Sequence, residues 1–72
     1  MRIDRYKIDI ELAKSGMSEY KEFAEKIGLP ARTLSVILSR GSCKNVNAGK
    51  IAKGLGVSVE KIAKKESGND EN

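Results

Sequence analysis

Residues 20–41 constrain the fold of this chain more than any other stretch, because two short helical patterns flank a turn signal there. The first pattern places apolar residues along one side of a helix, at Tyr20, Phe23, Ala24 and Ile27. The second repeats that spacing at Leu34, Ile37 and Leu38. Gly28 and Pro30 lie between the patterns, where both residue types favour an interruption of the helix. The stretch therefore predicts two helices joined by a short turn.

The turn has the residue types that a sharp connection between packed helices needs. Gly28 can adopt the positive φ that other residues resist, so the chain can reverse there. Leu29 is then placed to plug the turn, and the small Ala24 lets the two helices approach each other. Two helices joined in this way form a helix-turn-helix, whose second helix lies in the major groove of DNA.

These residues resemble the Cro/cI type of helix-turn-helix domain, which occurs in phage repressors and their bacterial relatives. The resemblance is carried by Phe23, Ala24, Ile27, Gly28, Leu29, Leu34 and Ile37, and by the downstream residues 40–62. It covers about residues 4–65. It implies an all-α, lambda-repressor-like bundle of four to five short helices that binds double-stranded DNA, usually as a homodimer or with a partner protein. We expect one helix-turn-helix domain over residues 1–65 and a disordered polar tail over residues 66–72.

Helix caps and apolar spacing predict five helices. We expect the first helix over residues 4–15, ended by Gly16, and the second from the N-cap Ser18 to the turn. The third is expected over residues 31–39, and the fourth over residues 45–55, ended by Gly56. The fifth is expected to begin at Ser58 and to bury Val59, Ile62 and Ala63.

The predicted first helix is unusual because it carries two apolar stripes. One stripe consists of Ile3, Tyr6, Ile10, Ala13 and Met17. The other, nearly opposite, consists of Ile8 and Leu12. A bundle this small easily covers one stripe, and we expect Ile8 and Leu12 to be wrapped by the tail or left for a partner.

The basic side chains are concentrated in the second half of the chain. Residues 1–25 hold five basic and six acidic side chains, residues 26–65 hold nine basic and one acidic, and residues 66–72 hold three acidic. The basic block includes the predicted recognition helix, as expected for a nucleic-acid binder. A solvated lysine-rich surface is the alternative interpretation.

The outward side of the predicted third helix lies about half a turn from Leu34 and Ile37. Arg32 can hold guanine through O6 and N7, and Val36 can contact a thymine methyl group. Basic residues just beyond the helix suit phosphates. The candidate DNA-binding residues are Arg32, Thr33, Ser35, Val36, Ser39, Arg40 and Lys44.

The same side departs from the family's pattern, which opens a second interpretation. Tyr20 stands where the family often has Gln, Pro30 where a polar residue is usual, and Val36 where Arg, Lys or Gln is common. Small phage switch proteins of this fold include modulators and antirepressors, which bind a repressor through protein contacts. The candidate partner-binding residues are Ile8, Leu12, Tyr20, Val36 and Leu38. Operator binding and modulation of a repressor therefore both stay open.

Several classes of protein are disfavoured by composition. No run of 18 apolar residues is present, so we expect no membrane span, and the charged N-terminal residues are unlike a signal peptide. Cys43 is the single cysteine and histidine is absent, so we expect neither a disulfide nor the usual zinc site. We expect no catalytic residue, cofactor or enzymatic activity, and a location in the cytoplasm of a bacterial host cell.

Overall fold

The computed structural model describes residues 1–17 and 19–64, and that part of the chain is all-helical. The helices are α1 (Arg5–Lys14), α2 (Tyr20–Ile27), α3 (Ala31–Arg40) and α4 (Asn45–Leu55), followed by a single 3₁₀ turn at Val59–Lys61. The predicted all-α class is thus confirmed, and the predicted bounds of α4 match. The prediction of a fifth α-helix is wrong for the described residues 58–64, which form only the 3₁₀ turn, with Ile62 buried but Val59 and Ala63 half-buried. The predicted N-cap Ser18 and the predicted tail lie outside the described residues.

The helix ends follow from local chemistry. Asp4 caps α1, because its carboxylate accepts the backbone N–H groups of Tyr6 at 3.0 Å and Lys7 at 3.3 Å. Gly28 ends α2 with a φ of +76°, the left-handed conformation that favours glycine. This reversal lets α3 begin three residues later, as the sequence predicts.

The hydrophobic core lies between the helices, and α2 packs against both α3 and α4. Its buried apolar residues are Ile3, Ile8, Leu12, Phe23, Ala24, Leu29, Leu34, Ile37, Leu38, Ala48, Ile51, Ala52 and Ile62. A glycine sets how closely α4 approaches α2. A Cβ on Gly54 would overlap Cγ2 of Ile27 and lie 3.1 Å from Cε1 of Phe23. In the described part of the chain, none of the helices is long and apolar enough to cross a membrane.

The orientation of α1 corrects the prediction made from its two stripes. Ile8 and Leu12 are buried, whereas Tyr6 is 73% exposed and Ile10 is 37% exposed. Ile3 is also buried, but it precedes α1 in extended backbone, so it enters the core independently of the helix side. The prediction is wrong because Ile3 is not part of the helix, so its burial says nothing about which side of α1 faces the core.

An extended segment at residues 2–3 completes the fold. It lies between the α3–α4 loop and the chain that follows the 3₁₀ turn. The backbone N–H of Ile3 donates to the carbonyl of Gly41 at 3.0 Å, and that of Lys64 donates to the carbonyl of Arg2 at 3.0 Å. Arg2 also forms an antiparallel bridge with Ser42. Helical periodicity could not predict this pairing, because it joins residues about 40 to 60 positions apart.

Candidate nucleic-acid interface

The outward side of α3 is the candidate interface. Leu34, Ile37 and Leu38 are buried against the core, so the opposite side of the helix faces away from it. The exposed candidate residues on this helix are Arg32, Ser35, Val36, Ser39 and Arg40. Thr33 is half-buried at the edge, and Lys44 is exposed at the start of α4.

Burial contradicts three of the five predicted partner-binding residues. Ile8, Leu12 and Leu38 all belong to the core, so they cannot form an exposed docking patch. For Leu38 the reason is helical spacing, because it lies four residues after Leu34 on the same side of α3. Val36 remains as an outward apolar side chain, 42% exposed.

Tyr20 connects α2 to α1. The half-buried ring packs against the core, and its hydroxyl donates a hydrogen bond to the carboxylate of Asp9. The guanidinium carbon of Arg5 lies 5.9 Å from the ring centroid, within cation–π range. These contacts position the start of α2. They involve the ring and the hydroxyl of Tyr20, a side chain that the sequence predicts to bind a partner.

A groove runs between the outward side of α3 and the first turns of α1 and α2. Its lining residues are Arg5, Tyr20, Lys21, Ala31, Ser35, Leu38 and Ser39. Two of the predicted polar residues, Ser35 and Ser39, thus share one groove with two exposed cations, Arg5 and Lys21. Sequence reasoning missed both cations. Their charge is evident from the sequence, but their position beside α3 depends on the packing of α1 and of the start of α2.

Three further cations lie near the C-terminal end of α3. Arg40 is the last residue of α3, and Lys44 is the N-cap of α4. The bridge between Arg2 and Ser42 places Arg2 beside the loop that joins these two helices. Within residues 1–17 and 19–64, the ion pair that forms is Lys14 with Glu11, at 3.6 Å. The cations beside α3 and at its C-terminal end therefore form no ion pair with a carboxylate within the described part of the chain.

A second group of cations lies elsewhere, at the contact between α2 and α4. Lys26, Lys50 and Lys53 line a groove there together with Ile27 and Gly54. None of these residues lines the groove beside α3. Substitutions in this group therefore supply charge-matched controls for α3.

Cys43 lies in the α3–α4 loop and is half-buried. Burial raises the pKa of its thiol, although the positive charge at the amino group of Met1 partly opposes that shift. A thiol with a raised pKa carries less of the nucleophilic thiolate. In the described residues, no group of three His, Cys, Asp or Glu side chains could hold a metal ion.

Comparison of the chain with protein-family models, curated proteins and solved structures found no match.

Proposed function

We propose that this chain is a small transcriptional regulator of the Cro/cI type that binds operator DNA. On this proposal α2, residues 28–30 and α3 form the helix-turn-helix, and α3 enters the major groove. The resemblance of the motif residues to phage repressors supports a role in a phage or prophage switch. The proposal does not include an enzymatic activity.

The observation that carries the proposal is the surface around α3. The helix turns exposed polar side chains and Arg32 outward, and exposed cations lie along one side of it and at its C-terminal end. Arg5 and Lys21 line the groove along one side of α3, Arg40 is its last residue, and Lys44 is the N-cap of α4. This surface is complementary to double-stranded DNA, which presents base edges in its groove and negatively charged phosphates along both sides of the groove.

Each side chain then has a role set by its position. Arg32, near the start of α3, donates to O6 and N7 of a guanine, and Ser35 and Ser39 contact bases or phosphates. Arg40 and Lys44 hold phosphates beyond the helix and fix its register without reading sequence.

The number of base-reading residues favours a homodimer. A good bidentate contact contributes about 1–3 kcal/mol of discrimination, whereas specific binding exceeds non-specific binding by about 4–10 kcal/mol. Arg32 alone falls short of that difference. A second copy on a second half-site doubles the readers, as two-fold symmetric operators require.

The test is a salt-varied binding titration of purified protein. Duplexes selected by the wild type from a randomised library are compared with random duplexes by fluorescence anisotropy. We expect Arg32→Ala to lower the preference for selected duplexes by about 1–3 kcal/mol. Arg40→Ala and Lys44→Ala should weaken all duplexes alike and lower the salt slope by about 0.9 each.

Lys53→Ala is the control for these variants, because it removes one exposed charge away from α3. It should leave both the preference and the salt slope close to those of the wild type. Wild-type protein without salt-dependent affinity for DNA, even at low ionic strength, would remove the proposal.

A modulator that binds a partner repressor is the second candidate, and the exposure of Val36 on α3 favours it. A lysine at this position would have to be desolvated against an apolar partner. We therefore expect Val36→Lys to weaken capture of a purified cognate repressor and to strengthen binding to DNA. A repressor complex that survives Val36→Lys would exclude α3 from the interface and direct attention to Tyr6 and Ile10. If the wild-type protein captured no repressor, the modulator function would be excluded.

A further inference from the structure

We propose that Ser42, Arg2 and Lys64 form a row that holds a backbone phosphate of duplex DNA. This inference rests on the proposed function and adds two cations to it, neither of which belongs to the helix-turn-helix motif. Ser42 lies in the α3–α4 loop, between Arg40 at the end of α3 and Lys44 at the N-cap of α4.

Backbone pairing fixes the order of the row. Arg2 lies opposite Ser42 in an antiparallel bridge. On its other side, the N–H of Lys64 donates to the carbonyl of Arg2 at 3.0 Å. Three extended segments thus lie side by side with Arg2 in the middle. Neighbouring segments in such pairing are about 4.8 Å apart, so the row spans about 10 Å.

Register determines that the three side chains share one face. Residues directly opposite each other in antiparallel pairing project to the same side, and adjacent residues in one segment project to opposite sides. Ile3, next to Arg2, is buried and forms a bridge with the half-buried Ala63. The face that carries Arg2 is therefore the outer one, which agrees with the exposure of all three residues of the row.

Two like charges opposite each other are unfavourable unless a counter-charge is present. Neither Arg2 nor Lys64 forms an ion pair with any carboxylate among residues 1–17 and 19–64. Asp4, two residues after Arg2, accepts the first N–H groups of α1. Among the described residues, no carboxylate therefore pairs with the two cations of the row.

The chemistry of the row matches a phosphodiester. Arginine and lysine supply charged donors, and the Ser42 hydroxyl supplies a neutral one, which are the groups that contact DNA phosphates. Arg40 and Lys44 are exposed two residues before and two residues after Ser42. The row therefore extends their proposed phosphate contact sideways, onto segments far from α3 in sequence.

The experiment measures the salt slope of duplex binding for the double variant Arg2→Ala/Lys64→Ala. The matched control is Lys50→Ala/Lys53→Ala, which removes the same charge from two exposed residues of α4 outside the row. We expect the row variant to lower the slope by about 0.9, as loss of one phosphate contact does. The control should leave the slope unchanged, and circular-dichroism melts establish that both variants fold.

Arg40→Ala separates failure of this inference from failure of the proposed function. Suppose that the wild type binds DNA with a salt dependence that Arg40→Ala lowers, while the row variant behaves like the control. The row is then not a phosphate site, and the proposed function stands. Loss of salt-dependent binding in the wild type itself would overturn both. A lowered slope in the row variant alone, with the control unchanged, supports the row.

Discussion

The first helix and the α2–α3 pair both contain apolar residues in helical spacing, but the sequence predicts the buried side correctly only for α2 and α3. In α3 the predicted inward residues Leu34 and Ile37 are buried. In α1 the stripe with Tyr6 and Ile10 is exposed, and the stripe with Ile8 is buried. The difference lies in how each helix is held by its neighbours.

A short turn joins α2 to α3, so the direction of one helix restricts the other. Gly28 at φ +76° and the buried Leu29 leave little freedom in that connection. By contrast, α1 is connected to α2 by a longer segment. Its orientation depends on the extended Ile3 at one end and on the Tyr20–Asp9 hydrogen bond along its length. Local spacing therefore determines the inward side of α3 but not that of α1.

The strongest test of this comparison is a matched pair of substitutions on α1. Ile8→Ala should destabilise the fold by about 2–5 kcal/mol, because it removes fully buried methyl groups and leaves a cavity. Ile10→Ala makes the same chemical change on the outer side and should cost about 0.5 kcal/mol. Urea unfolding followed by circular dichroism measures both. Equal losses in the two variants would show that α1 is turned differently.

A second, smaller test concerns two glycines of α4, one at a close contact and one not. In Gly54→Ala the overlap with Ile27 and Phe23 should cost about 1–3 kcal/mol. The higher helix propensity of alanine offsets roughly 1 kcal/mol of this cost, so we expect a net destabilisation of up to about 2 kcal/mol. Gly49 has no neighbour within 4 Å of an added Cβ. Gly49→Ala should therefore stabilise by about 0.5–1 kcal/mol, a rise of several degrees in melting temperature.

Thermal melts of these two variants in the same buffer test the difference between Gly54 and Gly49. Opposite shifts of the melting temperature support the close approach of α4 to α2 at Gly54. A Gly54→Ala variant that melts above the wild type would mean that the two helices are further apart than described.

In the candidate interface, as in the fold, the positions that follow from helical spacing were predictable, and those that depend on packing between helices were not. Arg32, Ser35 and Ser39 were predictable, because their outward direction follows from helical spacing relative to Leu34. Arg5 and Lys21 were not, since they meet α3 only through the packing of α1 and the start of α2. The prediction that Leu38 lies in an exposed patch is wrong, because Leu38 follows Leu34 by four residues on the buried side of α3.

Sequence alone determined the helical class, the turn at Gly28 and the bounds of α4, because helical periodicity and glycine caps are local properties of the backbone. Tertiary structure decided which side of α1 is buried, reduced the last predicted helix to a 3₁₀ turn and placed Arg2 between Ser42 and Lys64. Each of these depends on contacts between residues distant in sequence. Such contacts form only when the apolar side chains of several segments are buried together, which no local pattern encodes.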